Sequence, residues 1–304
     1  VSIVSAAVGV ILTGAYRTVP LVRGASASVI AVMLALGGAH VALNGPLASV
    51  TSPDGWSIAA CDVGQGDALL VRSDSRIALI DTGPEPEPLA ACLRSLGIEH
   101  IDLLVLTHFD LDHVGGVDAV QGRVGAVLHG PPGESGDERM LQRLADGGAA
   151  VTLATAGTQG ELGTASWQVL WPQRGSEVFP PGNDQSVVLE VEGGGVPRAL
   201  FLGDLSAEAQ RMLVRTAHLR GSYAVVKVAH HGSADQDFAL YQDLRPVDAL
   251  FSAGIDNDYG HPRAESLASL EAAGARVLRT DQEGRLLVGL DGDELQLWTE
   301  RQPP

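Results

Sequence analysis

Thr107-His108-Phe109-Asp110-Leu111-Asp112-His113, followed by Val114-Gly115-Gly116, decides how this chain reads. Four side chains able to ligate a metal fall within six residues, directly after an apolar run from Ile101 to Leu106. That run reads as a buried strand. A strand ending in such a cluster delivers its ligands to the edge of a sheet. Alternation along an extended chain points His108 and Asp110 to one side. Asp112 and His113 follow where the chain must turn, and Gly115-Gly116 allow the next backbone to come close.

The same pattern recurs at separated positions. Leu79-Ile80-Asp81-Thr82-Gly83 is a strand ending in an acid and a glycine, and Leu200-Phe201-Leu202-Gly203-Asp204 is another. Val225 to Val228 leads into Ala229-His230-His231-Gly232-Ser233, and Asn183-Asp184-Gln185-Ser186 precedes an apolar run at 187–191. Strand ends that carry Asp or His, gathered at one rim of a sheet, suit a dinuclear metal site. There a carboxylate bridges two cations and neutral imidazoles complete each shell.

Together with Asp62-Val63-Gly64-Gln65-Gly66-Asp67-Ala68 and Tyr259-Gly260-His261-Pro262, these motifs resemble the metallo-β-lactamase superfamily. Within it they look most like the lactamase-like domain of the ComEC family of DNA-uptake membrane proteins. The resemblance runs from about Ile58 to Leu297 and implies an αββα sandwich; the spacing of elements alone supports only an α/β class. Two positions depart from the superfamily's pattern. Asp110 stands where most members have a second His, and Asn183 where most have a third.

The resemblance implies a ligand set of His108, Asp110, Asp112, His113, Asn183, Asp204, His230 and His231. His108 and Asp110 would hold the first cation and Asp112 and His113 the second, with Asp204 bridging. A carboxylate at 110 makes the first subsite harder and moves preference from zinc toward manganese or magnesium. One of His230 and His231 is expected to ligate and the other to face substrate; alternation alone does not say which. Asp112, His230, His231 and His261 are the expected catalytic groups. Asp81 reads as a support that holds a ligand histidine. Gly64, Gly66 and Asp67 read as a supporting turn. His40, His100, His129 and His218 lie outside any motif.

The chain of 304 residues carries a net charge of −17. Residues 1–50 hold Arg17 and Arg23 and no acid, so the remainder has 18 bases against 37 acids. Such a body does not attract nucleic acid by its mean field, and any DNA contact must be local. Lys227 is the sole lysine. Cys61 and Cys92 have no metal-binding spacing and read as two buried free thiols, with a disulfide as the alternative in an oxidising compartment. Two apolar runs, 1–16 and 25–43, read as a short membrane-spanning hairpin ahead of the soluble domain. Residues 44–55 read as a linker and 56–304 as the sandwich, with the chain's first residue taken as the boundary of a fragment.

The expected activity is metal-dependent phosphodiester hydrolysis, assisted by two divalent ions, manganese or zinc. By resemblance the substrate is single-stranded DNA, met at the cell membrane on its extracytoplasmic side beside other parts of the uptake machinery. Two other readings stand beside it: a hydrolase of another ester, such as a phosphocholine ester, and a DNA-binding or structural module without catalysis.

Overall fold

The computed structural model describes residues 31–33, 35, 53–219 and 221–302. The chain divides into two compact units, residues 1–52 and 53–304. The first unit contributes only the four helical residues at 31–33 and 35. The expected membrane hairpin therefore lies outside the described residues, and among those described no helix is long and apolar enough to cross a membrane.

The second unit contains two sheets. In chain order the first gathers β1 (Trp56–Ala60), β2 (Leu69–Ser73), β3 (Arg76–Ile80), β4 (Ile101–Leu106), β5 (Val124–His129) and β6 (Ala150–Leu153). The second takes β7 (Gln159–Leu162), β8 (Ala165–Trp171), β9 (Val188–Gly193), β10 (Val196–Phe201), β11 (Val225–Lys227), β12 (Asp248–Phe251) and β13 (Arg276–Arg279). The chain then returns to the first sheet with β14 (Leu286–Asp291) and β15 (Glu294–Thr299). The strand orders are β15-β14-β1-β2-β3-β4-β5-β6 and β13-β12-β11-β10-β9-β8-β7.

Strand sequences explain the layering. In β4, Leu103 and Val105 join the core between the sheets, while Ile101, Leu104 and Leu106 join a second core on the outer face. A strand buried on both faces reads as a near-continuous apolar run, as this one does from Leu103 onward, with Asp102 at its entrance. That outer core takes Leu89 and Leu93 of α1 (Pro86–Ser95) and Leu141 and Leu144 of α3 (Ser135–Asp146). The short α2 (Leu111–Val114) lies between them in the chain. On the other side Leu200, Leu202, Val226 and Val228 pack against α4 (Ala207–Thr216), α5 (Phe238–Leu244) and α6 (Ala264–Ala272). The α4 helix starts at a Ser206 cap whose hydroxyl accepts from the Ala209 amide. Helices thus cover the outer faces of both sheets, and the αββα sandwich expected from the resemblance is present.

Several elements escaped the sequence reading. β7 is a polar edge strand, β12 begins on a charged residue, and α5 is short. Asp248 of β12 is fully buried and is held by a two-bond Arg276 fork at 2.7 Å on each branch. That pairing lets a carboxylate open an interior strand. The thiol reading is also corrected: Cys61 and Cys92 form a disulfide. It ties the residue just after β1 to α1, beside the Asp62–Asp67 loop.

Candidate metal centre

β3 and β4 run parallel, as do β10, β11 and β12. Their carboxyl ends open on one rim, where a parallel sheet leaves room for ligands. Asp81 follows β3, Thr107 and His108 follow β4, Asp204 follows β10, His230 and His231 follow β11, and Ser252 follows β12. Three of these sit in the left-handed region: Asp81 at φ 58°, His230 at 48° and His231 at 51°. Side chains rarely accept that conformation, and it concentrates where function demands it.

Glycines close the approach. A Cβ on Gly116 would lie 2.1 Å from the Thr82 carbonyl oxygen, and one on Gly66 would lie 2.1 Å from that of Asp112. Neither position tolerates a side chain. The second contact presses the Asp62–Asp67 loop onto the metal-ligand loop.

Asp112, His113, Asp204 and His231 bring one ligand atom each within 4.8 Å of one another. Oδ2 of Asp204 is the hub, 3.3 Å from Nε2 of His113, 3.3 Å from Nε2 of His231 and 3.8 Å from Nε2 of His230. Oδ2 of Asp112 stands 3.2 Å from Nε2 of His231. His231 is therefore the histidine buried in the cluster, whereas His230 keeps about a third of its side chain exposed at 34%.

Each ring nitrogen on the far side is engaged. Asp81 accepts from Nδ1 of His113 at 2.8 Å, and also from the Thr107 amide and hydroxyl at 2.7 Å each. The Ser252 carbonyl accepts from Nδ1 of His231 at 2.9 Å. Nδ1 of His108 lies 3.1 Å from the Thr107 hydroxyl and 3.2 Å from the Ser186 hydroxyl. Such bonds fix the tautomer and turn Nε2 toward a shared space. The Nε2 atoms of His108, His113 and His231, with Oδ1 of Asp204, are buried and have no hydrogen-bond partner. Leaving a buried polar atom unpaired costs about 1–3 kcal/mol, so several together at one point are the signature of a cation position. The donor set fits a divalent metal.

Electrostatics agree. Burial drives Asp204 upward, but His231, His113 and Lys227 outweigh it and hold its carboxyl well below the usual range. Burial lowers His113 and His231, yet Asp204 with Asp81, and Asp204 with Asp67, hold both imidazoles well above 6.5. In the metal-free protein, protons on these rings supply the positive charge that a cation would bring.

Asp110 lies at the exposed side, 3.7 Å from Nε2 of His108, and the nearness of His108 lowers its carboxyl. Asn183 opens the turn Asn183–Gln185 that carries Ser186 to His108. The ring of His261 lies 5.5 Å from that of His230 and 6.5 Å from that of His231. Burial, then the neighbouring His230 and His231, against which a second proton would be repelled, push it down to about 4, so it is neutral at neutral pH. The expected proton donor is thus a neutral imidazole able to offer a hydrogen bond. His129 is held by the Gly130 carbonyl at 2.7 Å, and His100 and His218 are exposed, away from the cluster. His40 lies outside the described residues.

Two residues were under-read. Lys227 is fully buried, ion-paired with Asp67 and 3.5 Å from Oδ1 of Asp204. Asp67 also approaches Nδ1 of His231 at 3.3 Å, and its carboxyl falls to about 2 because Lys227 and His231 outweigh burial. A lone lysine between apolar residues of a strand was the available signal.

Among solved structures, the diiron β-hydroxylase CmlA of Streptomyces venezuelae superposes with a TM-score of 0.55 at 18% identity, over 79% of this chain and 55% of that one. This likeness concerns the fold alone. Among curated proteins, ComE operon protein 3 of Bacillus subtilis is 31% identical over 251 residues, 74% of this chain and 32% of that protein. Competence protein ComA of Neisseria gonorrhoeae is 30% identical over 240 residues, 77% and 32% of the two chains. The chain spans about a third of the length of these relatives. Residues 61–251, which include the whole four-residue cluster, match the model of the metallo-beta-lactamase superfamily, and the chain belongs to that superfamily.

Proposed function

We propose that this domain hydrolyses phosphodiester bonds of single-stranded DNA during its uptake, using two divalent cations. The observation that carries the hydrolytic part is the pair of orphaned Nε2 atoms of His113 and His231, each 3.3 Å from Oδ2 of Asp204. Likeness to proteins named for competence supports the DNA part. Asp112, His113, His231 and Asp204 would hold one cation, and His108 and Asp110 the other, joined by Asn183 of the turn that brings Ser186 to His108, with Asp204 shared. Bound there, the metals supply Lewis acidity and a water acidified enough to attack at neutral pH.

The chain's own groups do the rest. Asp112, about one-third exposed, orients the attacking water from the mouth of the site. His230, held below its ordinary value chiefly by burial, is a neutral ring at the mouth whose N–H donates one hydrogen bond to a phosphate oxygen. His261 does the same from the facing loop. Lys227, charged and sealed from water, offsets the carboxylates of Asp67 and Asp204. The Cys61–Cys92 disulfide supports placement on the oxidising side of a membrane.

The test is a purified domain supplied with manganese or zinc and offered a labelled single strand. Cleavage is expected in wild type and absent in Asp204→Ala. Metal bound by wild type without cleavage of DNA or of small phosphodiesters would favour the non-catalytic module, and cleavage of the small esters alone would favour another substrate.

A further inference from the structure

Among the described residues Tyr259 is the single Phe, Tyr or Trp side chain that is exposed, at 63%. It sits beside the metal centre. Its ring lies 5.7 Å from that of His261 at an interplanar angle of 26°, and the His261 ring lies 6.5 Å from that of His231 at 28°. Tyr259 therefore caps a short stack of near-parallel rings whose inner member belongs to the cluster. The loop beneath it is pinned. Asn257 accepts from the His261 amide at 2.9 Å and donates to the carbonyls of Gly254 and His261 at 2.7 Å each. An aromatic ring fixed in this way offers contact area at small entropic cost. On the same loop Ile255 is exposed as well, at 64%.

Charge narrows what the ring can meet. Asp256 and Asp258 are exposed on the same loop, on a chain of net charge −17. A phosphate is repelled there, whereas an uncharged π-face is not. Stacking of a base on an aromatic ring is insensitive to sequence and needs no net positive charge. A paired base in a duplex has both faces covered and cannot use it. We propose that Tyr259 is a nucleobase platform: one unpaired base of the substrate strand stacks on it while a neighbouring phosphate reaches the Asp204 cluster. Tyr259 thereby selects single strands over duplex. This rests on the nuclease reading for its substrate, and it adds the group that recognises it. Arg263, whose guanidinium lies by Gly260, next to Tyr259 in the chain, supplies the phosphate contact beside the platform.

The test uses the full chain in chelator, where cleavage is off, and a fluorescent thymidine oligonucleotide read by anisotropy at several salt concentrations. Tyr259→Ala should weaken binding about tenfold and leave the salt slope unchanged, while Tyr259→Phe should bind as wild type does. Arg263→Glu should flatten the slope by about 0.7. An oligonucleotide of the same length lacking its bases should bind wild type and Tyr259→Ala alike. Unchanged affinity in Tyr259→Ala, or equal loss on the base-free strand, overturns the platform, as does a wild type that binds no single strand at all. Cleavage assays with manganese separate the two ideas. A wild type that shows Tyr259-dependent binding but no cleavage sinks the nuclease reading and keeps the platform. A wild type that cleaves with affinity independent of Tyr259 does the reverse.

Discussion

Nδ1 of His113 lies 2.8 Å from Oδ2 of Asp81, and that bond decides which nitrogen His113 turns toward Asp204. Asp81 is itself locked by the amide and hydroxyl of Thr107. Asp81→Asn puts a donor or a weaker acceptor where a carboxylate received the imidazole proton. Metal affinity should fall about 10–100-fold, read by calorimetric titration, with the fold intact by circular dichroism. An unchanged affinity would mean that His113 needs no such support.

Asp110 borders the subsite of His108, where an imidazole would be the commoner partner in the superfamily's pattern. A carboxylate there favours harder cations. At matched occupancy, activity should be higher with manganese than with zinc, and Asp110→His should move the preference toward zinc. A preference that ignores the substitution would place Asp110 outside the coordination shell.

Metal should compete with protons. His113 and His231 stand well above 6.5 when folded without metal, because Asp204 with Asp81 and Asp67 outweighs burial. A raised value stabilises the fold fully below 6.5 and loses that contribution as pH climbs through the folded value. Asp204 and Asp112, held low, contribute above about 4 and lose it as pH falls. The metal-free protein should thus weaken on the alkaline side, where a cation replaces the lost protons. The gain in Tm on adding manganese should grow as pH rises, and binding should release protons, seen as a dependence of calorimetric heat on buffer ionisation enthalpy. Heat independent of buffer would show the rings to be neutral beforehand.

Much of this was legible in the sequence because chemistry sat at strand ends. Runs such as Leu103–Leu106 are apolar on both faces, so they announce strands, and the acid or imidazole after each announces the rim. His230 and His231 were another matter: both take left-handed backbone, which defeats alternation, and only the fold reveals that His231 turns inward. Asp67 looked like turn chemistry because its neighbours are glycines. Its partners, Lys227 and His231, are 160 residues or more away in the chain and become visible only when β11 is laid beside β10. The disulfide was hidden for a similar reason, since nothing in a 31-residue separation indicates that Cys92 of α1 packs over the end of β1.

That disulfide closes a loop of 31 residues around β2 and β3. Constraining such a loop in the unfolded chain is worth about 2–4 kcal/mol. Cys61→Ser with Cys92→Ser should lower stability by that amount in urea titration. The metal affinity of the folded form should stay close to wild type, because neither sulfur touches the cluster. A large loss of metal affinity would mean that the strap positions the Asp62–Asp67 loop.

Lys227 supplies the last prediction. Its ammonium is sealed between Asp67 and Asp204, and those carboxylates raise it despite burial. Lys227→Met keeps length and apolar packing but strands Asp67, which is fully buried. Removing one partner of a buried pair costs about 3–5 kcal/mol, since the other charge is left without compensation. Adding Asp67→Asn removes that charge and should recover most of the loss, a coupling that a double-mutant cycle reads directly. Stability and metal binding should then separate. The double variant should fold, yet it loses the positive charge beside Oδ1 of Asp204, so Asp204 should hold a cation more tightly than in wild type. If the double variant is no more stable than Lys227→Met alone, the lysine matters through the hydrogen bond it donates to the Gly203 carbonyl at 3.2 Å and not through Asp67.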